Sequence, residues 1–256
     1  MTVRTSVDRP VETVERAIDL LEYLKVNGPT GIGELAAEFD CAKSTVHRHL
    51  RTLEANSFLV REDDEYRLGT RLLDYGIGAR NRYPLFREAR PKVDELAAET
   101  EEKIWCTVEE HGRSIHIYGA QGKRSVRTDA RVGSRSYLHQ TAAGKAILAH
   151  LPEGRVDDVI DAYGLPARTP HTVTDPDELR TELARIRERG YAFNFEESVE
   201  GLHAVGAPIT DDDGVALGAI SVSGPANRLA GDRLREEVPT LLAGVVNEIT
   251  INLAHA

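Results

Sequence analysis

The chain has 256 residues, 41% of them hydrophobic, and its 42 acidic side chains outnumber 32 basic ones, giving a formal net charge of −10. A chain of this length suits two domains better than one, and its composition is neither collagen-like nor that of a disordered protein. No apolar run approaches the ~18 residues that a membrane helix needs, and the N-terminus lacks the apolar core of a signal peptide. We therefore expect a soluble, cytoplasmic protein without a membrane partner.

The acidic balance bears on solubility and association rather than on fold. Lysines are few and arginines many, as is typical of a salt-adapted organism with a GC-rich genome, such as a halophilic archaeon. An ordinary acidic bacterial protein is the alternative. Cys41 and Cys106 are too few for a disulfide framework and lack metal-ligand spacing, so both are expected to be reduced and structural.

Residues 1–70 carry the pattern of a winged helix-turn-helix domain. Apolar residues at helical spacing predict three helices, and two short β-rich runs flank an acidic turn over residues 62–65. Three helices followed by a hairpin is the element order of this DNA-binding fold. The predicted helices cover residues 11–26, 32–39 and 43–56, and the predicted strands cover residues 58–60 and 66–68.

The third predicted helix has an apolar stripe on one side and a basic face on the other. Val46, Leu50 and Leu53 are spaced to face inward, and no acidic residue occurs between Ala42 and Leu53. A recognition helix reads bases chiefly with its N-terminal half, and Arg can pair bidentately with guanine. The alternative is a surface helix with a solvated basic face. The candidate base contacts are Ser44, Thr45, His47 and Arg48, the candidate phosphate contacts are Lys43 and Arg51, and the candidate wing contacts are Arg61 and Arg67, which flank the acidic tip.

Residues 71–85 predict a linker helix, and residues 86–256 predict a larger domain of mixed helices and strands. The alternation favours an antiparallel sheet with helices packed on it, an α+β fold. In this second domain the predicted helices cover residues 86–100, 141–151, 175–189 and 231–254, and the predicted strands cover residues 104–108, 114–118, 204–209 and 216–223.

Several ordered motifs resemble the IclR family of transcriptional regulators over nearly the whole chain. The resemblance implies a GAF-like α/β effector-binding domain, a homodimer or dimer of dimers, and control by a small, often acidic metabolite. In the N-terminal domain it lies in residues 14–21, 32–36, 43–48 and 66–69; in the second domain it lies in the signature helix at residues 139–149 and in residues 189–192, 196–197, 201, 207–209 and 220–225.

The same resemblance implies an effector site. Gly and Ala at the start of a helix let backbone N–H groups approach an anion, and serine hydroxyls can donate from a strand. His203 and His139 could add a donor or a charge. Asn194 and Ala204 stand where some family members have acidic or thiol side chains. The alternative for the small residues is close helix–sheet packing. The implied effector residues are Ala142, Ala143, Gly144, Asn194, Leu202, Ala204, Ser221 and Ser223, with His203 beside them.

The leading hypothesis is a regulator that binds a palindromic operator in double-stranded DNA under the control of a carboxylate-bearing metabolite. A second hypothesis is a regulator without a ligand, whose second domain serves only oligomerisation or protein contacts. An enzyme is not expected, because no nucleophile elbow, phosphate loop or metal motif is present and the adjacent Glu196 and Glu197 give no sign of acid–base catalysis. No cofactor and no metal are expected.

Overall fold

The computed structural model describes residues 9–152 and 154–255. It divides into two compact units, Met1–Ala79 and Arg80–Ala256. The N-terminal unit is a helix-turn-helix followed by a β-hairpin, and a two-residue strand completes a sheet of order β1-β3-β2. Its elements are α1 (Glu12–Asn27), β1 (Thr30–Gly31), α2 (Ile32–Glu38), α3 (Lys43–Ala55), β2 (Leu59–Glu62) and β3 (Glu65–Leu68).

The predicted winged helix-turn-helix is confirmed, and its core forms where the apolar periodicities of the three helices meet. Leu20 of α1, Leu35 of α2 and Leu50 of α3 are each at most 1% exposed and share one cluster with Leu59 and Tyr66 of the hairpin. Strand β1, which pairs with β3 through Thr30 and Gly31, escaped prediction because two residues are too short for a period.

The helix that follows the hairpin, α4 (Arg71–Arg80), is shorter than the predicted 71–85 linker. The next helix, α5 (Pro84–Thr100), already begins at Pro84. Proline suits the first turn of a helix, where its missing N–H would have no partner. Pro84 therefore opens a helix in addition to ending the preceding segment.

The C-terminal unit is built on one six-stranded antiparallel sheet of order β6-β5-β4-β9-β8-β7. All four predicted strands are present and longer than predicted, whereas β6, β7 and α7 were not predicted. A π-helical turn, Arg233–Glu237, lies within the predicted last helix, after the helical residues Gly231 and Asp232. The remaining elements are β4 (Lys103–Glu110), β5 (Arg113–Gln121), β6 (Arg135–Tyr137), α6 (Ala142–Ala149), α7 (Arg155–Tyr163), α8 (Pro176–Arg189), β7 (Ala192–Phe195), β8 (Leu202–Thr210), β9 (Ala216–Pro225) and α9 (Val238–Ala254).

The two faces of this sheet differ in chemistry. One face is apolar and packs against α5 and α9; from β4 it takes Ile104, Cys106 and Val108. The other face packs against α6 and α8. On that side β4 presents the alternate residues Lys103 and Trp105. The polar groups of the sheet are therefore gathered under α6.

Helix α6 lies very close to the sheet. A Cβ atom at Gly206 of β8 would lie 2.6 Å from the Ala142 carbonyl carbon and the Ala143 nitrogen. Thr141 caps the helix, since its hydroxyl accepts a hydrogen bond from the Gly144 N–H at 3.0 Å. Within the described ranges, no helix is long and apolar enough to cross a membrane.

Gly144→Ala is expected to destabilise the C-terminal unit by about 1–3 kcal/mol, as overpacking does. A Cβ atom there would overlap the Leu138 carbonyl oxygen and crowd the Thr141 hydroxyl. The measurement is urea unfolding followed by the fluorescence of Trp105, the single tryptophan.

The matched control is Gly244→Ala in α9, where a Cβ atom would meet nothing within 4 Å. That change should leave stability equal or raise it by up to about 1 kcal/mol, because glycine disfavours helices. Equal effects of the two substitutions would contradict the packing role of Gly144.

Candidate nucleic-acid interface and ligand cavity

Helix α3 presents the predicted DNA-reading residues together on its solvent side. Val46 and Leu50 are buried, and Leu53 is half-buried, which fixes the rotation of the helix. The helix begins at Lys43, so Ser44 and Thr45 lie in its first turn. Thr45 is half-buried, and the exposed candidates are Lys43, Ser44, His47, Arg48 and Arg51.

The solvent side of α3 is electropositive over its N-terminal half. In the described part of the chain, Lys43 and Arg48 form no ion pair, whereas Arg51 is held by Glu54 at 3.3 Å. Burial, together with the charges of Arg16 and Arg48, lowers the pKa of His49 below its ordinary value. The field therefore favours a phosphate or an acceptor atom of a base.

The two arginines of the wing form ion pairs with acidic residues of the wing tip. Arg61 pairs with Asp64 at 3.0 Å and donates to the Asp63 carbonyl at 2.9 Å. Arg67 pairs with Glu62, and this pairing lowers the pKa of the Glu62 carboxyl. Both predicted wing contacts thus have internal partners that DNA would have to replace.

A cavity of about 500 Å³ lies in the C-terminal unit, on the α6 side of the sheet. Strands β4 to β9 and the start of α6 contribute to its wall, together with residues 126–130, residues 198–201 and Arg168. The predicted effector residues that line it are Ala142, Ala143, Asn194, Leu202, His203, Ala204, Ser221 and Ser223.

Gly144 and His139 do not line the cavity. Gly144 faces the backbone of Leu138, in keeping with the packing alternative for this residue. His139 is buried and its Nε2 lies 3.2 Å from the Pro166 carbonyl oxygen. Burial lowers the pKa of His139, although the bond to Pro166 opposes this.

One end of the cavity carries unsatisfied hydrogen-bond donors. The N–H groups of Ala142 and Ala143 have no acceptor among the described residues. Ser221 is 6% exposed, and its hydroxyl has no partner there either. Ser221 pairs with Gly206, above which α6 begins, so the three donors share one region. These donors open into the cavity, and N–H groups at a helix N-terminus together with a hydroxyl suit an anion.

Asn194 links the segments before α6 and after β7 by hydrogen bonds. Its Nδ2 donates to the Gln140 carbonyl at 2.9 Å, and its Oδ1 accepts from the Glu197 N–H at 3.2 Å. Glu197 in turn forms a buried ion pair with Lys145 of α6 at 2.6 Å. Burial raises the pKa of the Glu197 carboxyl, and Lys145 opposes that rise. Glu197 is thus a structural partner of α6.

Trp105 and His116 line the cavity and were missed as effector residues. Their rings stack with centroids 4.4 Å apart, and His116 Nδ1 lies 3.0 Å from the Thr107 hydroxyl. Burial, with a smaller effect from the Lys103 charge, lowers the pKa of His116 to about 4. The alternation of polar and apolar residues along β4 was the signal that could have placed Trp105 on this face.

Arg127 and Arg168 also line the cavity from loops, and neither forms an ion pair within the described segments. No sequence signal points to them, because loop residues have no periodicity. No group of three or more His, Cys, Asp or Glu side chains among the described residues is placed to hold a metal ion. Cys41 and Cys106 are both free thiols.

Comparison with known proteins gives matches along most of the chain. The family model described as the IclR helix-turn-helix domain matches residues 13–63. The model described as the C-terminal domain of bacterial IclR transcriptional regulators matches residues 78–250. The Probable HTH-type transcriptional regulator ArcR of Halobacterium salinarum is 35% identical over 254 residues, which are 97% of this chain and 96% of that protein.

Two solved structures are similar over nearly their whole length. The crystal structure of the Thermotoga maritima IclR matches with a TM-score of 0.80 and 30% identity, covering 94% of this chain and 98% of that chain. An IclR homologue from Microbacterium hydrocarbonoxydans, complexed with 4-hydroxybenzoate, matches with a TM-score of 0.81 and 24% identity, covering 95% and 100%. At 24% identity, the second match shows a similarity of fold alone.

The stability of the C-terminal unit should fall as the pH is lowered from about 6.5 to 4. The unfolded chain binds a proton at His116 near pH 6.5 and the folded chain near pH 4. In this window protons favour the unfolded state, so stability is full above pH 6.5 and drops by up to about 3 kcal/mol on acidification. Urea unfolding at several pH values, followed by Trp105 fluorescence, measures the slope.

His116→Gln should flatten that slope, because glutamine does not titrate, whereas His171→Gln at an exposed position should leave it unchanged. An identical slope for His116→Gln and the wild-type chain would contradict the assignment to His116.

Proposed function

The chain belongs to the IclR family of transcriptional regulators, and from that premise we propose that a small carboxylate in its cavity controls its binding to a palindromic operator. The chain is a transcriptional regulator and not an enzyme. Its family models and its relatives all carry the names of transcriptional regulators. The observation that carries the proposal is the set of unpaired donors at Ala142, Ala143 and Ser221. A domain that served only oligomerisation would have no need of them.

Operator binding is assigned to α3 in the major groove. Arg48 is placed to read a base, since it is exposed near the start of the helix and has no internal acid partner in the described ranges. Ser44, Thr45 and His47 are the further base contacts, and Lys43 and Arg51 meet phosphates. Arg61 and Arg67 make at most a weak wing contact, because Asp64 and Glu62 already hold them. As a DNA-binding regulator, the protein is expected to act in the cytoplasm.

A palindromic operator requires a two-fold symmetric protein, and the N-terminal unit has apolar residues available for a second copy. Helix α4 has no buried residue, and its Leu73 and Ile77, one turn apart, are 64% and 39% exposed. On α1, Val14 and Ile18 are 55% and 45% exposed and also lie one turn apart. We assign these faces to a homodimer contact; two such dimers would form a tetramer.

The carboxylate shifts the regulator between two arrangements only in so far as it binds them with different affinity. Helix α6 is the element that would transmit ligand binding to the rest of the unit. Its first amides contact the anion, and its Lys145 forms an ion pair with Glu197. Occupation of the cavity is therefore coupled to the segment that follows β7.

Arg48→Ala should reduce sequence preference about 5- to 150-fold while leaving non-specific DNA binding largely intact. The loss of one bidentate guanine contact costs about 1–3 kcal/mol of discrimination. The measurement is footprinting and quantitative binding on the upstream region of the protein's own gene, against a scrambled duplex, at fixed salt. Lys25→Ala, which removes a cation paired with Glu22 at the far end of α1, is the control.

Absence of any protected palindrome with the wild-type chain would refute the role of α3. A loss of preference in Lys25→Ala equal to that in Arg48→Ala would show that the effect is one of net charge and not of base reading.

Leu73→Glu combined with Ile77→Glu should halve the mass observed by sedimentation and weaken operator binding, because like charges would face each other across the two-fold axis. Leu217→Glu changes a leucine of the C-terminal unit that is also exposed, and serves as the control. An unchanged mass in the double variant would remove α4 from the interface.

A further inference from the structure

Lys103 is a buried lysine that forms no ion pair with any carboxylate of the described residues. It is 4% exposed, and its ammonium donates only long hydrogen bonds, to the Thr128 hydroxyl at 3.3 Å and to the Ala130 carbonyl at 3.5 Å. Its Nζ also lies 4.7 Å from the ring centroid of Trp105. No acidic side chain in the described part of the chain forms an ion pair with it. Burial accordingly lowers the pKa of Lys103.

This isolation sets Lys103 apart from the other buried lysine and carboxylates of the unit. Lys145 and Glu197 neutralise each other at 2.6 Å. Glu102 is held by Arg228 at 2.6 Å and by Arg233 at 3.6 Å. A buried charge is costly unless it is paired, so the lack of an internal anion at Lys103 calls for an external one.

The residues around the ammonium form the cavity wall. Trp105, Thr128 and Ala130 all line the cavity, as does Ser223, whose hydroxyl donates to the Lys103 carbonyl at 3.3 Å. Two carboxylates, Asp129 and Glu200, line the cavity as well, but both are exposed, and solvent screens their charge. The Lys103 ammonium therefore contacts three residues of the cavity wall, although Lys103 itself does not line the cavity.

Strand register separates Lys103 from the donors at the start of α6. Lys103 pairs with Ser223, and Trp105 pairs with Ser221, so Lys103 lies two residues farther along the sheet than the Ser221 region. Two residues of a strand span roughly 7 Å. Two anion-attracting regions thus lie on one face of the sheet, a short carbon chain apart, with Trp105 paired to Ser221 and its ring beside the Lys103 ammonium.

We propose that the cavity binds a short-chain dicarboxylate, one carboxylate meeting the Ala142 and Ala143 amides with Ser221 and the other neutralising Lys103. The inference rests on the proposed function in one respect, that the cavity is the effector site. It adds the class of ligand and assigns Lys103 as the residue that distinguishes dicarboxylates from monocarboxylates. The carbon chain between the two groups packs on Trp105.

The experiment compares matched acids with the full chain: butyrate with succinate, valerate with glutarate, and hexanoate with adipate. Dissociation constants come from calorimetry and from the fluorescence of Trp105, at constant ionic strength. For at least one length the dicarboxylate should bind about tenfold or more tightly than its monocarboxylate, which is the worth of one charge-assisted contact.

Lys103→Met keeps the apolar stem and removes the charge. It should erase the advantage of the dicarboxylate and leave the monocarboxylate unchanged. Lys92→Met, at a lysine of α5 paired with Glu95 and Glu248, should change neither. Ser221→Ala should weaken both acids of a pair, because they share the region at α6.

The outcomes separate the inference from the proposed function. Equal affinity of every monocarboxylate and its dicarboxylate in the wild-type chain would overturn the inference even if Lys103→Met failed to fold, whereas a Ser221→Ala effect would keep the effector site. Equal weakening of both acids by Lys103→Met would also overturn it. No binding by any of the six acids would remove the carboxylate site together with the inference.

Discussion

The close approach of α6 to strand β8 is the constraint on which the C-terminal unit depends. Only a residue without a Cβ fits at Gly206, because the backbone of Ala142 and Ala143 occupies that space. The contact fixes two helix amides above the sheet, next to Ser221. It also sets the position of Lys145, whose partner Glu197 follows β7. A preorganised donor set of this kind costs little to order when a ligand arrives.

The fold could be predicted wherever the sequence carries a period or a cap. The stripe of Val46 and Leu50 was sufficient to identify α3 and its exposed face, and Asp175, which accepts from two N–H groups at the start of α8, marked that helix. Resemblance to a family supplied the cavity residues at the start of α6 and several on β7, β8 and β9, together with Gly144, which does not line the cavity. The short strands β1, β6 and β7 contain too few residues for a period to be recognised.

The remaining cavity residues depend on geometry that no local pattern encodes. A β-bulge shifts the register of β4 and β5 after Cys106, so that Thr107 pairs with His116 and not with Ile117. The extra residue turns His116 toward the cavity and Ile117 into the apolar core. Without the bulge the two side chains would exchange faces. The burial of Lys103 could not be predicted from the sequence either, because a lysine at the start of a strand is ordinarily a solvated residue.

The acidic wing affects how steeply DNA binding by the protein should weaken as the salt concentration rises. Cations that bind DNA displace condensed counterions, and each phosphate neutralised steepens the loss of affinity with salt by a slope of about 0.9. Arg61 and Arg67 are already neutralised by Asp64 and Glu62. The hairpin therefore releases few counterions, and the salt dependence of operator binding rests mainly on α3. Under the proposed function, such a complex would lose less affinity as ionic strength rises than one whose wing arginines were free to bind phosphate.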